Sequence, residues 1–251
     1  MEERLNKWLS QMGVCSRREA DRLIEAGKVL VDNRPASMGQ KVTPGQKVVC
    51  NGKMVRVDRS QRPRPVLLAV NKPKGIVCTT TDKDRAENIV DFLGYPERIY
   101  PVGRLDKDSE GLLLMTNQGD LVNKIMRSGN AHEKEYIVTI DKPVTERFLE
   151  QMAGGIRLPE LDQVTRPCKV KKVERNTFSI ILTQGLNRQI RRMCEVCGCQ
   201  VRRLVRVRIM NIRLGNLRTG AYRQITKEEY EELTGLLKDS SSLSLKERKN
   251  Q

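Results

Sequence analysis

The sequence predicts an α+β fold in two domains, and three observations lead to this class. A helix–helix–strand–strand pattern occupies about the first 55 residues. Segments with helical and strand periodicity then follow one another without strict β-α alternation. Between these parts, residues 57–65 carry charges and two prolines without periodicity, which is typical of a linker. We therefore expect domains at 1–60 and 61–238, and a serine-rich, charged, disordered tail at 239–251.

The N-terminal pattern begins with two short helices. Within residues 5–12 the apolar side chains follow the i, i+3, i+4, i+7 spacing of a helix with one buried face. Ser16 and Glu19 then have the spacing of a capping box, which indicates the start of a second helix. Residues 28–31 and the turn-and-strand sequence VTPGQKVVCNGK complete an α-α-β-β unit.

The larger part contains further segments with the periodicity of a strand or a helix. A strand is predicted where VLLAVNKPKG begins at residue 66, before a proline-glycine turn. The other predicted strands are Gly111–Thr116, Lys134–Ile140 and Thr177–Leu182, and the predicted helices are Gly119–Met126, Thr145–Gly154 and Gln189–Cys197.

The charge of the chain predicts a polyanionic partner. The formal net charge is +16 and the isoelectric point is near 9.8, which favours nucleic acid. A basic membrane-surface protein would need an aromatic-rich amphipathic helix, and aromatic residues make up only 4% of the chain. No apolar run approaches the roughly 20 residues of a spanning helix. The first residues, MEERLNKWLS, lack the apolar segment of a secretory signal, so we expect a cytoplasmic protein without membrane partners.

The cysteines and the missing motifs restrict the chemistry. Seven scattered cysteines without an export signal indicate reduced thiols. The cluster CEVCGC offers three thiolates, but the only histidine, His132, is far away and a closed zinc site needs four ligands. The sequence has no GxGxxG, GxxxxGK[ST] or HExxH motif. We therefore expect no zinc site, and functions that depend on a dinucleotide, a nucleotide triphosphate or a zincin motif lose their main support. Any chemistry then rests on carboxylate, tyrosine, cysteine or basic groups.

One short segment, Arg104-Leu105-Asp106, stands directly before the apolar run at 111–115. By itself it has two interpretations: a surface ion pair of little energetic weight, or a catalytic aspartate with a positioning partner. If the segment is extended, the period of two places residues 104 and 106 on the same face.

Four ordered blocks resemble the RNA pseudouridine synthases of the RsuA family. They are NKPKG at 71–75, GRLDKDSEGLLLMTN at 103–117, HEKEYIVTI at 132–140 and QGLNRQIRRM at 184–193. The first sixty residues resemble the S4 RNA-binding module of the same branch. The resemblance implies a catalytic domain with a curved, mostly antiparallel sheet and a reaction without cofactor, in which a uridine base is detached from C1′ and rejoined through C5.

The physical demands of that reaction can be stated separately. A base within an RNA stack must be flipped out before it can react. Cleavage of its glycosidic bond develops positive charge on the sugar, which a carboxylate can trap or stabilise. A carboxylate that stays ionised in a water-poor cleft needs a cationic partner.

The resemblance assigns roles to individual residues. Asp106 matches the catalytic aspartate, either as a nucleophile at the sugar or as a base. Arg104 matches the residue that fills the space left by the flipped base, and Tyr136 matches the tyrosine that stacks on the target ring. Arg191 matches the basic residue that pairs with the aspartate.

The resemblance and the charge also predict pocket and RNA contacts. Ile190 and Leu105 are predicted to line the substrate pocket. The stretch from Arg188 to Arg213 carries eight arginines against one acid, so we expect it to line the RNA groove. The predicted RNA-binding side chains are Arg4, Lys7, Arg17, Arg18, Lys72, Lys74, Arg188 and Arg192.

Within the family, the chain is most similar to enzymes of the large ribosomal subunit, so the expected substrate is a uridine in 23S rRNA. A tRNA uridine is a second candidate. We expect a monomer. The alternative function is a non-catalytic S4-type, ribosome-associated RNA-binding protein, which would explain the charge but leave the four distal blocks without a role. An S4-bearing methyltransferase is disfavoured by the absence of a glycine-rich cofactor loop.

Overall fold

The computed structural model describes residues 2–55, 64–79 and 86–241. The chain divides into two compact units. The first comprises Met1–Pro65 with the short segments Pro96–Arg98 and Asn117–Gly119, and the second comprises the rest. Residues 57–63 of the predicted linker and 242–251 of the predicted tail lie outside the described residues, and the predicted domain boundaries stay predictions.

The N-terminal unit contains the two predicted helices packed on small sheets. Ser16 Oγ accepts a hydrogen bond from the Glu19 amide, which caps the second helix as the sequence predicts. Leu5, Trp8 and Ile24 belong to the buried core of this unit. The elements are β1 (Glu3–Arg4), α1 (Leu5–Gln11), α2 (Arg17–Glu25), β2 (Val29–Val31), β3 (Arg34–Pro35), β4 (Lys41–Val42), β5 (Val48–Cys50) and β6 (Lys53–Val55).

The larger unit alternates strands and helices without β-α regularity. Its strands are β7 (Leu67–Lys72), β8 (Tyr100–Pro101), β9 (Glu110–Thr116), β10 (Lys134–Ile140), β11 (Arg157–Leu158), β12 (Gln163–Val164), β13 (Lys169–Glu174), β14 (Thr177–Leu182), β15 (Val201–Ile209), β16 (Ile212–Arg213) and β17 (Tyr222–Gln224). Its α-helices are α3 (Ile89–Leu93), α4 (Gly119–Met126), α5 (Glu146–Gly154), α6 (Gln189–Val196) and α7 (Lys227–Leu236), and single 3₁₀ turns lie at Ser128–Asn130 and Pro159–Leu161.

One large sheet organises this unit. Seven strands follow the order β13-β14-β10-β15-β9-β7-β17, with β16 beside β15 and β8 beside β9. Among the described strands every pairing in this sheet is antiparallel except that of β15 with β9, which is parallel. The predicted α+β class with a mostly antiparallel sheet is confirmed.

Strand β9 crosses the middle of the core. Its residues 111–116 are all buried, which is the pattern of a strand covered on both faces. Leu112 and Leu114 pack in one apolar cluster, while Leu113 and Met115 pack in another. The apolar run that the sequence places after Asp106 is therefore a central strand, and it fixes the loop that precedes it.

The predicted strands at 111–116, 134–140 and 177–182 and the three predicted helices are present within one residue at each end. Strand β15 is not among the predicted elements. Its second half, Val205-Arg206-Val207-Arg208-Ile209, alternates apolar and basic side chains as a strand does, but its four arginines were assigned only to RNA contact.

Candidate active site

A cleft of about 570 Å³ opens on the large sheet of the second unit. It gathers five segments of the chain: the loop between β8 and β9, the end of α4, strand β10, the segment from the end of β14 into α6, and strand β15. Its lining includes Arg104, Asp106, Ser109, Lys134, Tyr136, Gln184, Arg188, Ile190, Arg191, Leu204 and Arg206.

The loop that carries Asp106 is irregular rather than a strand end. Arg104 and Asp106 both line the cleft, and Leu105 between them turns away from it. Leu105 is only 7% exposed and packs in the apolar cluster of Ile99, Leu113 and Met115. The prediction that Leu105 lines the substrate pocket is wrong, because this side chain anchors the loop in the core.

The Asp106 carboxylate is half-buried. Among the described residues it forms no hydrogen bond and no ion pair, whereas its carbonyl accepts a hydrogen bond from the Ser109 amide at 3.0 Å. The backbone of the loop is therefore fixed while the carboxylate stays available to a ligand in the cleft.

Lys72, at the end of β7, supports this loop from within the core. Its side chain is 0% exposed, and Nζ donates to the carbonyls of Pro73 at 2.7 Å and Ser109 at 2.9 Å. Burial lowers the pKa of this ammonium, and the charge of Asp106 is among the influences that oppose the shift. The prediction that Lys72 contacts RNA is wrong, because a buried ammonium committed to main-chain carbonyls is not available to phosphates.

Arg191, in the first turn of α6, reaches the same loop. Its Nη2 donates to the Asp108 carbonyl at 3.0 Å and to Ser109 Oγ at 3.3 Å. Among the described residues, Arg191 does not form the predicted ion pair with Asp106, because Asp108 and Ser109 hold its guanidinium. Arg191 does line the cleft, and its catalytic role stays a prediction.

Arg206, on β15, is a cleft residue that the sequence analysis does not single out. Its side chain is 1% exposed, and Nε donates to the Leu112 carbonyl at 2.7 Å. Its Nη1 is 3.4 Å from the Arg104 carbonyl. The arginine-rich composition of residues 188–213 is the only signal in the sequence that points to it.

Tyr136 and Lys134 stand two residues apart on β10 and both line the cleft. Tyr136 is half-buried between two apolar clusters and pairs across the sheet with Arg206. Lys134 is 5% exposed, with Nζ 3.2 Å from the His132 carbonyl. Burial, with the charge of Arg206, lowers the pKa of Lys134 to about 8. Sequence reasoning missed Lys134 because it lies in a strand of otherwise ordinary alternation.

The start of α6 forms another wall. Ile190 is buried and lines the cleft, as predicted. Arg188 is exposed at the rim of the cleft. Its backbone has a left-handed conformation with φ of 50°, which residues other than glycine adopt rarely. Arg192 does not line the cleft, and it forms an ion pair with Glu160 and hydrogen bonds with Asn187.

Comparisons with known proteins agree with this geometry. A sequence model described as RNA pseudouridylate synthase matches residues 66–196, and a model of the S4 domain matches residues 3–48. The chain belongs to the RNA pseudouridylate synthase family. It is therefore an isomerase that converts uridine in RNA to pseudouridine, and the resemblance that the four sequence blocks indicate is confirmed. The alternative of a non-catalytic S4 protein is not supported.

The similar proteins are other pseudouridine synthases. The chain is 52% identical over 239 residues to the dual-specificity RNA pseudouridine synthase RluF of Escherichia coli (strain K12). This alignment covers 95% of the present chain and 81% of RluF. It is 36% identical over 242 residues to the ribosomal large subunit pseudouridine synthase B of Bacillus subtilis (strain 168), covering 93% and 96% of the two chains. A crystal structure of a pseudouridylate synthase matches with a TM-score of 0.67 at 27% identity, covering 92% and 99%.

RNA is the partner of this pseudouridine synthase, and several of the predicted RNA contacts are on the surface. Arg17, Arg18 and Arg4 in the S4 domain are exposed, and so is Lys74. Lys7 is half-buried and lies 3.3 Å from Glu3. The exposed residues keep their predicted role as a prediction.

Other predictions concern metals, thiols and membranes. Within residues 2–55, 64–79 and 86–241 no cluster of three or more His, Cys, Asp or Glu side chains is arranged to hold a metal ion. All seven cysteines are free, and burial raises the pKa of the Cys168 thiol to about 11. A search of the same residues finds no helix with the length and apolar character to cross a membrane.

Proposed function

We propose that this pseudouridine synthase modifies a uridine in 23S rRNA, with a tRNA uridine as a second candidate substrate, in the cytoplasm. The support is the similarity to RluF and to a ribosomal large subunit enzyme along almost the whole chain. The net charge of +16 fits a large polyanionic substrate.

The observation that carries the proposed chemistry is the cleft around Asp106. A volume of about 570 Å³ lies in the range of pockets that bury a small ligand, and it suits one nucleotide flipped out of an RNA stack. The carboxylate has no competing partner among the described residues, so it can approach C1′ of the sugar. Both interpretations of Asp106, as a nucleophile at the sugar and as a base, remain consistent with this geometry.

The reaction redistributes bonds within one nucleotide. The N1–C1′ bond breaks, the base turns, and a C5–C1′ bond forms. The proton on C5 is released and N1 takes up a proton, so substrate and product are isomers. Positive charge on the sugar during bond cleavage favours a carboxylate beside it, which is the role proposed for Asp106.

The other cleft residues have proposed supporting roles. Tyr136 stacks on the face of the uracil ring, and Ile190 contributes an apolar wall beside it. Arg104 is exposed at the mouth, where it can occupy the place that the base leaves in the RNA helix. Arg191 holds the carbonyl of Asp108 and the hydroxyl of Ser109, and in this way it orders the loop that carries Asp106.

Tritium release tests the proposal. RNA labelled with tritium at uridine C5 releases the label when C5 bonds to C1′. We would measure release from transcripts of 23S rRNA, 16S rRNA and tRNA with wild-type enzyme, Asp106→Asn and Asp108→Asn. Asp108 is the matched control: it lies two residues further along the loop, and its carboxylate is outside the lining of the cleft. Its ion-pair partner is Arg188 at the rim, at 4.0 Å, and a pair this long and exposed contributes little energy.

We expect release from the 23S transcript, a loss of about 10³-fold or more in Asp106→Asn, and near wild-type release in Asp108→Asn. RNA affinity should stay within a few-fold, since the substitution removes chemistry and little binding surface. Turnover near wild-type in Asp106→Asn would contradict the catalytic assignment. Release from the 16S transcript alone would contradict the substrate assignment.

A further inference from the structure

Arg206 is among the largest fully buried side chains of the described residues, and it lies in the wall of the cleft. A guanidinium stays charged in proteins, so its burial has a large desolvation cost unless a carboxylate compensates for it. Among the described residues Arg206 forms no ion pair, and its Nη2 is buried without a hydrogen-bond partner. A residue kept at this cost needs a reason other than stability.

Its two hydrogen bonds join the two sides of the Asp106 loop. Nη1 donates to the carbonyl of Arg104, two residues before Asp106, and Nε donates to the carbonyl of Leu112 inside β9. The guanidinium therefore bridges the entry of the loop to the central strand that follows it. No other side chain in the described part of the chain donates hydrogen bonds to both carbonyls.

The backbone of Arg206 is held equally closely. Arg206 pairs with Gly111 in the parallel pairing of β15 with β9, and with Tyr136 in the antiparallel pairing of β15 with β10. Arg206 thus contacts β9, the strand after Asp106, through its backbone, and it contacts Arg104 through its side chain. It also neighbours the tyrosine proposed to stack on the base.

We propose that Arg206 is a positioning residue for the reaction, which fixes the main chain on both sides of Asp106 so that the carboxylate is aimed at the sugar in the cleft. The inference rests on the proposed role of Asp106. Misplacement of a reacting group by about 1 Å can lower the rate about a hundredfold. Loss of the Arg206 side chain should therefore lower kcat rather than weaken RNA binding.

An arginine on another strand of the same sheet provides the control. Arg223, on β17, donates from Nη1 and Nη2 to the Glu229 carboxylate, each at 2.7 Å, and it lies outside the lining of the cleft. It also lies outside the arginine-rich stretch predicted to line the RNA groove. Its loss should lower stability and leave the chemistry unchanged.

The experiment compares the full-length variants Arg206→Met, Arg206→Lys and Arg223→Met. Multiple-turnover tritium release at varied RNA gives kcat and KM. Single-turnover release with enzyme in excess gives the rate of the bond rearrangement itself. Urea unfolding gives the midpoint. The rate is normalised to the folded fraction under assay conditions. Arg206→Lys keeps the charge and one donor group, so it remains informative if the methionine variant folds poorly.

We expect kcat per folded molecule to fall about a hundredfold in Arg206→Met and about tenfold in Arg206→Lys, with KM within about threefold of wild-type. Arg223→Met should have a lower midpoint and an unchanged kcat. If either folded Arg206 variant keeps a wild-type kcat, so that any loss follows only the unfolded fraction, the inference is overturned. The Asp106→Asn assay separates failure of this inference from failure of the proposed function. An active Asp106→Asn variant refutes the proposed catalytic role of Asp106. An inactive Asp106→Asn variant beside a fully active Arg206→Met variant refutes only the positioning role of Arg206.

Discussion

Gly111 lies opposite Arg206 across the parallel pairing of β9 and β15, and a Cβ added to Gly111 would stand 2.4 Å from the Arg206 carbonyl oxygen. The same Cβ would stand 2.8 Å from the Arg206 amide nitrogen. Gly111 also has a φ of +102°, a conformation that other residues rarely adopt. The close approach of these two strands therefore depends on a glycine, and it brings Arg206 to the loop of Asp106.

Gly111→Ala should lower the free energy of unfolding by about 2–4 kcal/mol, since it adds backbone overpacking to an unfavourable φ. Urea unfolding measures the change. Gly235→Ala is the matched control: Gly235 lies in α7 with nothing within 4 Å of an added Cβ. That variant should be stabilised by about 0.5–1 kcal/mol, because alanine is the better helix former. Equal effects of the two substitutions would refute the strand-contact argument.

The buried Lys134 predicts an unusual pH dependence of stability. Its pKa in the folded protein, about 8, lies below the ordinary value of 10.5. Between these pH values the folded state binds fewer protons than the unfolded state, so the contribution of Lys134 to the free energy of unfolding rises with pH. Below pH 8 the full cost of burying the charged ammonium applies. The gain across the window should be on the order of 1–3 kcal/mol.

Buried thiols titrate in the same range with the opposite sign, because burial raises the pKa of groups such as Cys15 to about 11. The measurement is therefore a difference. Urea unfolding of wild-type protein and Lys134→Met at pH 7.5, 9 and 10.5 should show the wild-type gaining relative to the variant as the pH rises. A difference that stays constant over this range would mean that Lys134 titrates normally.

Substitutions at Tyr136 test stacking on the base. Tyr136→Phe keeps the aromatic face, so kcat/KM should stay within about tenfold of wild-type. Tyr136→Leu removes the face and should lower kcat/KM by about 10- to 100-fold, the equivalent of one base–aromatic contact of about 1–3 kcal/mol. Tritium release measures both. An equal loss of kcat/KM in the two variants would mean that the Tyr136 hydroxyl, and not stacking by its ring, carries the effect.

Two exposed arginines of α2 test the RNA contact of the S4 domain. Arg17→Ala combined with Arg18→Ala should weaken RNA binding and make the slope of log K against log[salt] less negative by about 1.5, from two lost phosphate contacts. The control removes the same charge from the same domain at two other exposed positions, Lys47→Ala with Lys53→Ala. Filter binding at several salt concentrations gives the slopes. Identical slopes for both double variants would place RNA elsewhere.

The regular elements near the site were predictable because their signals are local. The apolar run 111–115, the alternation in 134–140 and the spacing in 189–197 each fix an element without information from the rest of the chain. Strand β15 was not predicted, although residues 205–209 alternate, because its arginines were assigned only to the RNA groove. The direction of the Leu105 side chain was not predictable, because Leu105 lies in an irregular loop rather than in a strand.

By itself the sequence determined the α+β class, the paired N-terminal helices, the family and the segments that form the cleft, since these follow from periodicity, capping residues and motif order. Only the tertiary structure decided what each cation does. Lys72 and Arg206 are buried supports of the Asp106 loop, and Arg191 binds Asp108 and Ser109 rather than the aspartate. The reason is physical: whether a charged side chain reaches solvent or a main-chain carbonyl depends on strands that pair across about 95 residues, as Gly111 and Arg206 do, and no local pattern encodes that pairing.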